Sequence, residues 1–336
     1  MRAVLPLLLL LAACAPPADV PGVTTATVAA DAETAAVKSG DDAADDPAIW
    51  RNAANPAASL IVGTDKQAGL YVYGLVGRVR DFNNAGRVNN VDLVETPAGV
   101  IVAASDRSDE ANAHIALFRL NTATARLEPI GRVPAGAGEA YGMCLWATPG
   151  ALTAFIVIKD GTIRQIELDP ARATGRIVRT MKLATQSEGC VVDARTARLY
   201  VAEEDEGIWR FDARASGSAT PVKLAGVDGK RLVADVEGLA IAAEGAGNGG
   251  WLVASSQGDN AYTLYRLADE RFAGRFRIAE GRLGGTQETD GIAVMTGDFG
   301  AAFPHGLMVA QDGENRPAQN FKLVGWGRVK EALGLR

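Results

Sequence analysis

Asp235 and Glu237 stand two residues apart in Ala234-Asp235-Val236-Glu237-Gly238-Leu239-Ala240-Ile241, just ahead of an apolar run. Read as a strand, the stretch turns both carboxylates to one face. Carboxylates grouped in this way hold hard cations or move protons. Related stretches recur at Asp45-Asp46-Pro47, Asn89-Asn90-Val91-Asp92, Ala140-Tyr141-Gly142, Ser187-Glu188-Gly189 and Thr289-Asp290-Gly291. The chain has only two histidines, His114 and His305, so a His-based phosphatase, a zinc site or a Ser-His-Asp triad is hard to build. The chemistry must run on Asp, Glu and bound cations.

The elements that position these residues are copies of one unit. The anchors Asp46, Asp92, Tyr141, Glu188, Glu237 and Asp290 recur at intervals of 46 to 53 residues. After each comes a second apolar strand with a polar end, such as Ile61-Val62-Gly63-Thr64-Asp65-Lys66 or Val201-Ala202-Glu203-Glu204-Asp205. An alternating third strand follows, as in Gly69-Leu70-Tyr71-Val72-Tyr73, and then a fourth that often carries basic residues, as in Arg176-Ile177-Val178-Arg179. Four strands per unit and a period of about 50 residues predict an all-β, six-bladed β-propeller with four antiparallel strands per blade. The sixth unit runs out near Trp326. Thr25 to Val37 is therefore expected to close the ring by pairing with blade six, which removes two exposed edges.

In such a fold the first strands line a central channel, and the second strands return their polar ends to the same face. Asp46, Asp92, Glu188, Glu237 and Asp290 are then expected to ring one mouth, with Glu204, Asp205, Gln257 and Asp312 just outside. So many carboxylates would raise each other's pKa sharply unless cations neutralise them. Oxygen-only ligands select calcium or magnesium, and a wide, irregular set favours several calcium ions. Lys66, Arg107 and Lys159 end second strands on that same face, so an anion, phosphate by preference, would lie between them and the metals.

Met1-Arg2, the apolar run Ala3 to Ala13 and the small residues before Cys14 describe a secretory signal. Leu11-Ala12-Ala13-Cys14 resembles a bacterial lipoprotein box. The expected organisation is a lipoprotein-type signal at 1–14, a tether at 15–27 and a propeller at 28–336. It implies an exported cell-envelope protein, periplasmic or anchored at the outer membrane and open to release. Contact with a membrane would run only through a lipid on Cys14. Cys144 and Cys190 are free either to pair or to stay reduced. The net charge of −6 and the lack of any basic run argue against nucleic acid.

Asp45-Asp46-Pro47-Ala48-Ile49-Trp50, Gly63-Thr64-Asp65-Lys66, Arg87-Val88-Asn89-Asn90-Val91-Asp92, Gln186-Ser187-Glu188-Gly189-Cys190, Ala202-Glu203-Glu204-Asp205-Glu206-Gly207, Asp235-Val236-Glu237-Gly238, Glu288-Thr289-Asp290-Gly291-Ile292 and Gln311-Asp312-Gly313-Glu314-Asn315 occur in this order. Together they resemble the β-propeller phytases, the calcium-dependent alkaline phytase family, from about residue 39 to 326. The resemblance implies 3-phytase-type hydrolysis of phytate, taken as its calcium salt, to lower inositol phosphates by attack of a calcium-bound water, in a monomer. Asp45, Asp46, Asp235, Asp290, Gln311, Asp312, Glu314 and Asn315 match calcium-binding positions. Glu188, Glu204, Asp235 and Glu237 match the acidic catalytic centre. Lys66, Arg107, Tyr141 and Lys159 match phosphate-contacting positions, the last two more loosely. With no histidine nearby, activity should favour neutral to mildly alkaline pH. The rival enzyme is a calcium-dependent lactonase or esterase on a six-bladed propeller, and the non-enzymatic rival is a surface-anchored binding propeller.

Overall fold

The computed structural model describes residues 23–335, so the expected signal and most of the tether lie outside the described residues. Blade one is built from β3 (Ala44–Trp50), β4 (Leu60–Asp65), β5 (Gly69–Gly74) and β6 (Val79–Asn83). Blade two holds β7 (Val88–Thr96), β8 (Gly99–Asp106), β9 (Asn112–Asn121) and β10 (Arg126–Ala137). Blade three holds β11 (Ala140–Thr148), β12 (Ala151–Ile158), β13 (Thr162–Asp169) and β14 (Thr174–Lys182). Blade four holds β15 (Ser187–Asp193), β16 (Arg198–Glu203), β17 (Gly207–Asp212) and β18 (Val222–Gly226). Blade five holds β19 (Val236–Ala243), β20 (Gly250–Ser256), β21 (Ala261–Arg266) and β22 (Phe272–Ala279). Blade six holds β23 (Ile292–Met295), β24 (Leu307–Asp312) and β25 (Asn320–Gly325). Each blade is an antiparallel meander, and β3, β7, β11, β15, β19 and β23 pack side by side around the channel, with β23 returning to β3.

These strands form because both faces of each blade are apolar. Six clusters of buried side chains fill the spaces between neighbouring blades. Val62, Val72, Val91, Val102 and Phe118, for instance, knit blade one to blade two. Each fully buried Val or Phe of this kind is worth about 1.5–3 kcal/mol relative to exposure. The only α-helix among the described residues, α1 (Trp326–Ala332), buries Trp326 and Val329 beside Trp251 and Val28.

The N-terminal segment closes the ring, and it does more than that. β2 (Ala32–Glu33) pairs antiparallel with β25, setting Ala32 opposite Leu323 and Glu33 opposite Lys322, which supplies blade six with its outer strand. β1 (Ala26–Ala29) crosses to blade five and pairs parallel with β22. The segment therefore clasps two blades where pairing with one was expected, and the strand begins inside the stretch read as tether. Cys144 and Cys190 form a disulfide between the inner strands of blades three and four. Adjacent inner strands bring together two cysteines 46 residues apart in the chain.

Candidate active site

A β-bulge near the start of the inner strands positions the site. In blade one Ala44 lies opposite Asp65 and Pro47 opposite Gly63, so Asp45 and Asp46 together face the single residue Thr64. The same shift occurs between Val88 and Val91, Ala140 and Met143, Ser187 and Cys190, and Val236 and Leu239. Bulges of this type re-aim side chains beside functional sites. The first bulge residues are Asp45, Asn89, Tyr141, Glu188 and Glu237, and Asp290 precedes Gly291 in the same way in blade six.

The glycines that follow them have a steric cause. A Cβ on Gly142 would lie 1.8 Å from the Glu188 carbonyl oxygen, and one on Gly189 would lie 2.2 Å from that of Glu237. Without side chains, the backbones of successive blades close up, and the Gly238 amide donates to the Asp290 carbonyl at 2.7 Å. Each glycine thus seats the next blade's acid at the channel mouth.

This register places Asp45, rather than Asp46, in the ring of first bulge residues. Asp46 is buried one residue further along, where its Oδ2 accepts from the Val91 amide at 3.0 Å. Blade two contributes Asn89 instead of Asp92. Asp92 lies deeper and accepts from the backbone amides of Leu93 and Leu145 at 2.7 and 2.8 Å.

Glu188, Glu204 and Glu237 come together, each buried, with one carboxylate oxygen apiece inside a 4.8 Å group. Glu188 Oε1 accepts from Asn89 Nδ2 at 2.8 Å, across the mouth from blade two. Glu204 Oε2 accepts from Gln186 Nε2 at 2.8 Å. Glu204 Oε1, Glu237 Oε2 and Asp45 Oδ1 are buried with no hydrogen-bond partner. The triad lines a cavity of about 380 Å³ together with Lys66, Tyr141, Asp235 and Asp290. Burial, then the charges of neighbouring acids, pushes Glu188 and Glu237 well above the ordinary carboxylate range. Burial also raises Asp235 and Glu204.

Buried acceptors without donors, in a set made only of oxygens, fit a hard cation. Glu204 and Glu237 line the mouth, and Asp45 adjoins it through Lys66. The resemblance-matched residues of blade six have other partners. Gln311 Oε1 accepts from the Asp290 amide at 2.9 Å and its Nε2 donates to the Ala44 carbonyl at 3.1 Å. Lys322, fully buried, donates to Glu33 at 2.6 Å and to Asn315 Oδ1 at 3.0 Å, and lies 3.3 Å from Asp312 Oδ2. Glu314 reaches the mouth and pairs with Arg316 at 2.7 Å.

The cations form the facing arc. Lys66 Nζ lies 3.1 Å from both Asp45 and Asp290. Burial alone would lower its pKa, but Asp45, Asp290 and Asp42 outweigh it and keep the ammonium protonated. Lys159 Nζ and Arg107 Cζ sit 4.9 and 6.0 Å from the Tyr141 ring centre, and both approach Glu139. Burial, then Glu188, Glu237 and Glu204, raises Tyr141, so its phenol stays a neutral donor.

The whole chain, residues 1–336, matches the phytase family profile. A 3-phytase of Bacillus subtilis (strain 168) is 39% identical over 328 residues, covering 91% of this chain and 85% of the relative. The chain belongs to the phytase family. Two solved structures share only its fold. One is a chain of the "Crystal Structure of Mitotic Checkpoint Complex", with 13% identity, TM-score 0.52 and coverage of 95% of this chain and 85% of that one. The other is the Myceliophteria thermophila Cps50 (Swd1) β-propeller domain, with 13% identity, TM-score 0.51 and coverage of 83% and 82%.

Within this phytase the sequence assigns no role to two neutral positioners, Asn89 and Gln186, and names Gln257 only as a residue just outside the ring. Asn89 and Gln186 orient two of the three glutamates, and Gln257 Nε2 donates to Asp290 Oδ1 at 2.7 Å. Their one sequence signal is adjacency, since Gln186 stands two residues before Glu188 and Asn89 at the head of the blade-two motif.

Asp290 carries a pH prediction for the metal-free enzyme. Burial, then Asp45, pushes its carboxyl from 3.8 up to about 7. The folded state then holds a proton that the unfolded chain has released, so this stability is present below the unfolded value and is lost as pH rises through about 7. Chelated wild type should lose melting temperature relative to Asp290→Asn as pH rises across that window. A difference constant with pH would refute the assignment.

Proposed function

We propose that this phytase-family chain releases inorganic phosphate from phytate and its lower esters, with several calcium ions held in the channel mouth. The observation that carries the reading is the buried Glu188, Glu204 and Glu237 triad with unpartnered oxygens, in one cavity with Lys66 and with Tyr141, whose ring Arg107 and Lys159 approach. Glu188, Glu204, Glu237, Asp235, Asp45 and Asp290 would hold the ions. Calcium, when bound, would supply positive charge beside the phosphoryl group and make nearby water easier to deprotonate.

The chain's own groups do the rest. Lys66 donates to a phosphoryl oxygen from a buried site where its charge is weakly screened. Arg107 and Lys159 bind neighbouring phosphates of the polyanion, and the Tyr141 hydroxyl donates without ionising. Glu204 or Glu237 accepts the proton of the attacking water. Asn89 and Gln186 fix the carboxylates so that charge meets the developing phosphoryl charge without rearrangement.

The 3-phytase relative supports phytate as the substrate. The secretory signal and Cys14 support export and lipid anchoring, and a disulfide suits an oxidising compartment. Assay of phytate against a lactone panel tests the activity. Phosphate release with no lactone turnover is expected, and lactone hydrolysis without phosphate release would replace this reading with the lactonase.

A further inference from the structure

Lys66 has three donor hydrogens and three carboxylate neighbours. Two of these, Asp45 and Asp290, belong to the ring of bulge residues, each 3.1 Å away, and their side chains are 2% and 16% exposed. The third is different. Asp42 makes the shortest contact, 2.7 Å, yet its side chain is 71% exposed. It belongs to no strand and lies in the loop leading into β3.

The loop is held in place from below. Gln67, the neighbour of Lys66, donates its side-chain amide to the Gly40 carbonyl at 2.9 Å and to the Asp42 carbonyl at 3.0 Å. Asp41 between them takes a left-handed conformation, with φ of 56°. The backbone around Asp42 is thus pinned over Lys66 while its carboxylate stays in solvent. Asp42 lines the same cavity as Lys66, Tyr141 and the glutamate triad.

An arriving phosphate can bond Lys66 only by taking over one of its three donors. Displacing Asp45 would strand a carboxylate only 2% exposed, which is costly, and displacing Asp290 would leave one only 16% exposed with Gln257 as its remaining donor. Displacing Asp42 returns an exposed carboxylate to water, and an exposed ion pair is worth little. We propose that Asp42 is a displaceable anionic plug on Lys66 that competes with the substrate's phosphoryl group and with product phosphate, setting the affinity of the mouth for both. The inference rests on the phosphate reading of Lys66 given above. It makes Asp42 a specificity-determining residue, favouring ligands whose dianionic or clustered phosphates outcompete a single carboxylate.

The test uses the full enzyme with saturating calcium and inorganic phosphate as the probe. Asp42→Asn should lower the inhibition constant for inorganic phosphate, and the KM for phytate, by about three- to tenfold, since one competing charge is lost. The effect should shrink as salt rises. Lys66→Met is the reference, and it should weaken phosphate inhibition. If Lys66→Met weakens phosphate but Asp42→Asn leaves it unchanged or weaker, the plug is refuted while the phosphate reading stands. If Lys66→Met leaves phosphate inhibition unchanged, the phosphate reading falls and takes the plug with it. Metal content by mass spectrometry supplies a readout apart from activity. Asp42→Asn should retain every ion, and loss of one would make Asp42 a ligand and overturn the plug.

Discussion

Glu237→Gln is expected to lower phosphate release from phytate at least about a hundredfold while leaving the fold intact. Loss of groups that merely orient metal ligands costs about 10- to 100-fold, so loss of a ligand's own charge should cost no less. Glu237 is 5% exposed, and its Oε2 has no hydrogen-bond partner. Glutamine keeps the shape and removes only the charge that would hold the cation and accept the proton. Burial, then Glu188, Asp290 and Glu204, raises the Glu237 carboxyl. A neutral amide therefore relieves repulsion in the metal-free protein, and its melting temperature should match or exceed that of wild type. Steady-state phosphate release and a chelated thermal melt check the two halves. Wild-type turnover in the variant would demote Glu237 to a structural role.

Exhaustive chelation should abolish phosphate release, and added calcium should restore it. The same treatment should destabilise the fold in a pH-dependent way. Asp45, Asp46, Glu188, Glu237 and Asp290 all have raised carboxyls, with burial the largest cause in each. A raised carboxyl contributes stability below its unfolded value and loses it as pH rises through its folded value. The metal-free protein is therefore weakest at neutral and alkaline pH, where the acids repel one another without a counter-charge. Bound calcium adds stability there in proportion to the logarithm of its concentration over its dissociation constant. The drop in melting temperature on chelation should be larger at about pH 8 than at about pH 5. Full activity after chelation, or magnesium alone restoring it, would overturn the calcium assignment.

Much of the blade architecture was legible because a propeller repeats itself in sequence. Each unit's apolar alternation needs only local pattern, and the interval between Glu188 and Glu237 is close to that between Asp46 and Asp92. The gathering of Glu188, Glu204, Glu237 and Asp290 at one mouth follows from strand direction alone. Asp45 and Asn89 were harder to assign, because a bulge adds a residue without interrupting the apolar pattern. Asp92 looks equivalent to Glu188 by spacing, yet only the cross-strand register tells that its side chain serves the Leu145 amide. The second clasp of the N-terminal strand, on blade five, was invisible for a related reason. Four residues pairing with a partner some 250 positions away leave no periodic mark.

The number of blades, the oxygen-rich character of the site and the face on which it forms can be read from the chain alone, because they depend on residue type and on a period carried throughout. Which member of each adjacent pair looks into the mouth is set by the folded register. So is which acids keep a free oxygen and which, like Asp312, already answer to a buried lysine. Both outcomes depend on donors supplied by distant blades, and a buried carboxylate's chemistry is set by the partners that reach it.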